Sequence, residues 1–266
     1  MTKPLYILKL GGSVITDKKN NRLSVNKKNL VSAAKAIAKA SKKLNLVIVH
    51  GAGAFGHKIV KDYKIKNGVK TAKQLEGVVR THDSMESLNK VVVETLISQK
   101  VRAITVQPSA CLMQNKKKII KFYTKQIEGF LKLGLVPVLY GDMVLDKSLG
   151  ASVVSGDAII AYLAKKLKPK RVLLGTDVNG IYDSNPKKNM KAKLVKEINN
   201  KNISQILKGA SGSSSIDVTA GMKGKLLELK KNIKGRECYI FNLEKQGNLA
   251  LLLTGKKPEC TRLYFK

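Results

Sequence analysis

Leu5-Tyr6-Ile7-Leu8-Lys9-Leu10-Gly11-Gly12-Ser13 is the stretch that decides the fold class. Its apolar part is almost continuous rather than alternating, which is the pattern of a strand buried on both faces. The strand runs straight into two glycines, where the backbone can approach an anion closely and amides can converge on phosphate oxygens. The arrangement recurs at Leu44 to Val49, which leads into His50-Gly51-Ala52-Gly53-Ala54-Phe55-Gly56-His57. Two such loops are expected to face each other across one crevice.

Working outward, short apolar runs at Ala103 to Val106, Val136 to Leu139, Val172 to Leu174 and Cys238 to Phe241 read as further buried strands. Between the strands, helical periodicity covers Asn26 to Lys43, Thr71 to Ser98, Thr124 to Leu133, Ser155 to Leu167 and Gly221 to Asn232. Strand and helix alternate, so an α/β protein is expected, its mainly parallel sheet covered by helices on both faces and its ligands at the carboxyl ends of strands. A basic run, Lys165 to Arg171, contains Pro169 and marks the expected boundary between lobes 1–168 and 169–266.

A chain of 266 residues that is 43% hydrophobic can bury a full core, which excludes a disordered or fibrous protein. Its longest apolar runs fall far short of the roughly 20 residues that span a bilayer, and Met1 leads into a strand without a secretory leader. A cytoplasmic protein without a membrane segment is expected. Cys111, Cys238 and Cys260 are widely spaced and suggest neither a disulfide framework nor a zinc site. The net charge of +33 would attract nucleic acid or phosphorylated metabolites, but the lysines are spread along the chain and no Trp interleaves them, so a solvated basic surface is the plainer reading.

The loops after the strands carry the candidate chemistry. Lys9 and Lys18 flank the first glycine pair. His57 ends the second loop, where an imidazole could donate to an anion. Asp142 follows the fourth strand and Asp157 begins a helix; a carboxylate there could orient lysines or a metal-bound nucleotide, or cap a helix or turn. Gly175-Thr176-Asp177-Val178-Asn179-Gly180-Ile181-Tyr182 suits a nucleotide's base and ribose, and Thr219-Ala220-Gly221-Met222-Lys223-Gly224-Lys225 brings amides and lysines to a helix start. Neither a Walker A loop nor a dinucleotide fingerprint is present, and no dedicated metal motif is visible.

As an ordered set these segments resemble the amino acid kinase superfamily and, within it, the isopentenyl phosphate kinases, over nearly the whole chain. The superfamily marks are Lys9 to Ser13, Thr176 to Gly180, and Gly221-Met222 with Lys225; the more specific ones are Phe55-Gly56-His57, Lys18 and Gly141-Asp142. Ala52, Ala54, Asn179 and Ala220 depart from the usual pattern by small or near-isosteric changes.

The resemblance implies a three-layer αβα sandwich that uses ATP and Mg²⁺ to phosphorylate isopentenyl phosphate, working as a homodimer. Lys9, Lys18 and Lys225 would stabilise the transferred group, with Asp142 and Asp157 orienting lysines. His57 with Gly51, Ala52 and Gly156 would hold the acceptor phosphate. Leu10, Gly11, Gly12, Ser13, Gly53, Thr176, Asp177, Gly180, Tyr182 and Gly221, with Lys9 and Lys225, would line the ATP side. Val78, Val79, Met85 and Leu88 would wall the isoprenoid tail or belong to the core. Other acceptors, such as fosfomycin, an amino acid or a nucleoside monophosphate, remain open, as does a nucleic-acid-binding role.

Overall fold

The computed structural model describes residues 3–17, 24–184, 189–209 and 220–266. Its elements in chain order begin with β1 (Leu5–Leu10), α1 (Gly12–Ile15), α2 (Lys27–Ser41), β2 (Asn45–His50), α3 (Gly53–Asp62) and α4 (Ala72–Ser98). Next come β3 (Ala103–Thr105), α5 (Pro108–Cys111), β4 (Leu112–Asn115), β5 (Lys118–Phe122), α6 (Lys125–Lys132), β6 (Val136–Tyr140), β7 (Asp142–Asp146) and β8 (Gly150–Val154). The chain continues through α7 (Gly156–Leu167), β9 (Arg171–Thr176), β10 (Glu197–Ile198), α8 (Ile203–Gly209), α9 (Ala220–Asn232), β11 (Glu237–Asn242), α10 (Asn248–Leu253) and β12 (Cys260–Tyr264).

The main sheet has the order β10-β12-β11-β9-β1-β2-β6-β3 and is parallel from β11 to β3, with β12 antiparallel to β11. Because side chains alternate across a strand, Leu8 and Leu10 enter one core with Leu30 and Ile37 of α2 and Leu88 and Val92 of α4. Ile7 enters the other core, with Ile159 and Leu163 of α7 and Leu226 and Leu229 of α9. These two apolar layers make the expected three-layer sandwich, with β1 buried from Tyr6 to Leu10 at its centre.

Local signals set the long helices. Thr71 and Gln74 form a reciprocal capping box at the start of α4, and Ser155 caps α7 by accepting from the Ala158 amide at 3.1 Å. Lys168, in the left-handed region at φ 50°, ends α7 just before Pro169.

Two features depart from the expectation. The glycine-rich stretch through His57 is not a loop to its end, because α3 starts at Gly53 and carries Phe55, Gly56 and His57. A second sheet, β5-β4-β7-β8, grows from the carboxyl end of β6 through β7 and stands beside the loops that hold the site.

Candidate active site

The two glycine-rich loops do not merely face each other; their backbones touch. A Cβ on Gly12 would lie 2.3 Å from the Gly53 nitrogen and 3.0 Å from the Gly51 carbonyl carbon, and one on Gly11 would lie 2.5 Å from the Gly175 oxygen. Gly53, at φ +51°, closes the contact from the other side, its absent Cβ leaving room for Thr16. Thr16 Oγ1 donates to the Gly12 carbonyl at 2.7 Å and accepts from the Ala54 amide at 3.1 Å, clasping the first loop to α3. Side chains at these glycines would push three strand ends apart, which explains the residue type at each.

The strand ends surround a cleft of about 670 Å³. Lys9 lies at its base, with its backbone in register with Val49 on one side and Leu174 on the other. The ammonium donates to Asp157 Oδ1 at 2.5 Å, a short charge-assisted bond that fixes the long side chain's direction. Asp157 thus holds the direction of Lys9 and sits in the first turn of α7, whose positive end reaches the cleft through Gly156. A Cβ on Gly156 would lie 3.2 Å from the His50 carbonyl oxygen, so α7 begins close against the end of β2.

His57 lines the same cleft from the exposed side of α3. Gly56 lets that helix close on α4, where its Cβ would meet Met85 Sδ at 3.3 Å. Asp142 lines the cleft too, but among the described residues it orients no lysine. Its fully buried carboxylate accepts from His82 Nδ1 at 2.8 Å and from the amides of Met143 and Ser109 at 2.8 and 3.2 Å. Gln107 in turn donates to His82 Nε2 at 3.0 Å, so Asp142 ties α4, α5 and β7 together beneath the cleft. His50 is buried and stacked on Tyr140 at 5.5 Å between ring centroids, and loss of hydration lowers its pKa to about 4 despite hydrogen bonds to Gly51 and Asn89.

Of the remaining expected residues, Gly11, Gly12, Ser13, Gly51, Ala52, Gly53, Thr176 and Asp177 all line the cleft. Leu10, Gly180 and Tyr182 do not. Leu10 is fully buried and its carbonyl accepts from the Gly51 amide at 3.0 Å, Gly180 abuts Thr261 of β12, and Tyr182 bridges to Leu194. Asn179 donates its amide to the Glu259 carboxylate, a contact that an aspartate could not make. Gly221 and Lys225 lie on α9, which packs on α7; Lys18 lies outside the described residues. Of the four residues expected to wall an apolar tail only Met85 lines the cleft, joined by Val60 and Val153, whereas Leu88 is core and Val79 is 67% exposed.

Sequence reasoning missed Lys66 and Lys117, which line the cleft from the segment after α3 and from the β4–β5 turn. Nothing in their local sequence marks them: the β4–β5 turn of the second sheet brings Lys117 there, and the short turn after α3 brings Lys66. Chemically, the cleft combines glycine-backed amides, an oriented lysine, a histidine and an apolar wall, which suits binding and transfer of a phosphoryl group.

The family model of the amino acid kinase family matches residues 4–242. The isopentenyl phosphate kinase of Methanothermobacter thermautotrophicus is 38% identical over 97% of this chain and 98% of its own. That of Methanocaldococcus jannaschii is 39% identical over 95% and 96%. A solved isopentenyl phosphate kinase structure superposes with a TM-score of 0.85 at 37% identity, covering 97% of this chain and 99% of that one. With strand ends, glycine contacts and the Lys9–Asp157 pair all in one cleft, and with a match that takes in β1 through β11, the chain belongs to the amino acid kinase family.

Proposed function

We propose that this chain transfers the γ-phosphoryl group of ATP to isopentenyl phosphate, giving isopentenyl diphosphate and ADP. One observation carries the reading: Lys9, held by Asp157 at 2.5 Å, shares a cleft with His57 and an apolar wall, in a chain 38% identical over its length to an isopentenyl phosphate kinase. A phosphate monoester carries about 1.5 to 2 negative charges near neutral pH, so the acceptor oxygen is already ionised and needs no strong base. That oxygen attacks the γ-phosphorus, the bond to the β–γ bridging oxygen breaks, and ADP leaves. The chain's task is to position two anions and neutralise the charge between them.

In this reading Lys9, Lys18 and Lys225 neutralise the moving phosphoryl group, while His57 and the amides around Ala52 and Gly156 hold the acceptor phosphate. Gly53, Thr176, Asp177 and Gly221 take the ATP side, and Val60, Met85 and Val153 receive the tail. Mg²⁺, when bound, would supply positive charge that offsets the nucleotide phosphates. No cluster of three acidic, histidine or cysteine side chains exists among the described residues, so such an ion would draw its oxygens from phosphate and water.

The lobes 1–168 and 169–266 divide acceptor from nucleotide, and the working form is a cytoplasmic homodimer. Sedimentation of the purified protein tests the dimer. No helix among the described residues is long and apolar enough to cross a membrane. Nucleic acid would meet the +33 charge only non-specifically, through contacts that added salt removes.

An ADP-release assay against isopentenyl phosphate, dimethylallyl phosphate, uridine monophosphate, glutamate and fosfomycin tests the assignment. Selective turnover of the isoprenoid monophosphates is expected. A hydrogen bond to a charged group is worth about 1.5–3 kcal/mol, so His57→Ala should lose roughly ten- to a hundredfold in kcat/KM. Turnover of a different acceptor alone would overturn it.

A further inference from the structure

Two lysines on the cleft margin have no part in the chemistry above. Lys66 follows α3 in a short turn set by Lys64 in the left-handed region and by Gly68 at φ +99°. Lys117 occupies the two-residue β4–β5 turn together with Lys116, and both have positive φ, 63° and 47°. Such a turn normally takes Asn-Gly, because side chains other than glycine, asparagine or aspartate are strained there. Both lysines line the cleft beside Val60 and Val153, both are exposed, and neither ammonium has a carboxylate partner among the described residues.

The strained turn is held by a dedicated device. Asp146, only 2% exposed, accepts from the amides of Lys116 and Lys117 at 3.0 and 2.8 Å, from those of Ser148 and Leu149 at 3.1 Å each, and from Ser152 Oγ at 2.8 Å. Gln114 Nε2 adds a bond to the Lys117 carbonyl at 3.1 Å. Strain that persists because its surroundings over-determine it points to a use. Here its effect is to present an exposed cation, without a carboxylate partner among the described residues, at the cleft.

We infer that Lys66 and Lys117 form a capture rim for the dianionic phosphomonoester acceptor, acting on its association with the cleft and not on phosphoryl transfer. The inference rests on the acceptor assigned above. Unpaired charges of one sign at the edge of a low-dielectric cleft focus the field into it and raise the local concentration of an oppositely charged substrate.

The test is steady-state kinetics with isopentenyl phosphate at low and high salt for Lys66→Met, Lys117→Met and the double variant. Lys39→Met, on α2 outside the cleft lining, controls for net charge, and Lys117→Arg keeps the charge at the turn. Each rim variant should lose about two- to fivefold in kcat/KM at low salt, the worth of one exposed charge contact, with kcat unchanged. The loss should fade toward 1 M salt, where the screening length is about 3 Å, and Lys39→Met and Lys117→Arg should match the wild type. Unchanged kcat/KM in the double variant, a fall in kcat, or a loss that survives high salt would each overturn the inference. If the wild type prefers another phosphomonoester, the acceptor assignment fails and the same series run on that compound still decides the rim. A wild-type acceptor without phosphate overturns both.

Discussion

Replacing Gly12 with alanine tests the claim that backbone contact between the two glycine-rich loops builds the site. The new Cβ would sit 2.3 Å from the Gly53 nitrogen, 2.8 Å from its Cα and 3.0 Å from the Gly51 carbonyl carbon. Ordinary contacts begin near 3.4 Å, and all three neighbours are backbone, so the loops must part by about 1 Å. Gly12 opens α1 without a positive φ, and alanine favours a helix over glycine by about 1 kcal/mol, so any loss is steric rather than conformational. Overpacking of this kind costs about 1–3 kcal/mol. A 1 Å misplacement of reacting groups costs about a hundredfold in rate, and the clasp from Thr16 to Gly12 and Ala54 moves with the loops. Urea denaturation and steady-state kinetics read the two effects. Gly129→Ala on α6 makes the same chemical change with nothing within 4 Å of its Cβ, and should be neutral or slightly stabilising. A Gly12→Ala variant with wild-type stability and kcat/KM would refute the reasoning.

The low pKa of His50 makes stability depend on pH. Burial lowers it from 6.5 to about 4, so between these values the unfolded chain binds a proton that the folded one does not. Stability should be full above about pH 6.5 and decline by about 3 kcal/mol toward pH 4. Urea midpoints should show this slope in the wild type and lose it in His50→Gln; equal slopes in the two proteins would contradict the assignment. Burial alone would raise the Asp146 pKa, but hydrogen bonds from the Lys117, Ser148 and Lys116 amides and from Ser152 outweigh it and hold it below the usual carboxylate range. Its stabilisation is therefore present at neutral pH and lost as pH falls through that lowered value. Asp146→Asn should cost about 2–4 kcal/mol by leaving buried amides short of an acceptor, and an unshifted thermal midpoint would count against it. Gly180→Ala would place a Cβ 2.2 Å from Thr261 Oγ1, whose oxygen accepts from the Ile181 amide at 2.8 Å. It should raise the KM for ATP more than that for the acceptor, and the reverse order would separate this loop from the nucleotide.

The parts legible in the sequence were those whose signal is local. The run Leu5 to Leu10 reads as a buried strand because every residue after Leu5 is buried, on both faces of the sheet. The spacing of α4, from its capping box at Thr71 to Ser98, can be read directly. What escaped depends on distant partners. Gly51, Gly53 and Gly56 look like a loop because three glycines in six residues disfavour a helix, yet α3 forms since its glycines are needed for contact with Gly12 and Met85. The second sheet was invisible because its strands are short, β5 is largely exposed, and a Lys-Lys pair fills a turn where asparagine and glycine would have been the cue. Lys117 follows that sheet out of sight, and Lys66 sits in a short turn after α3 that no local motif marks. Asp142 is legible as a cleft residue but its partner is not, because its link to His82 spans 60 positions of chain and no local pattern announces it.

The most direct test of phosphoryl transfer to a phosphate acceptor is phosphorus NMR of the purified protein with ATP, Mg²⁺ and isopentenyl phosphate. The account predicts that the monophosphate signal gives way to a pair of coupled diphosphate resonances in step with ADP. ADP accompanied by inorganic phosphate, with the monophosphate signal intact, would contradict it.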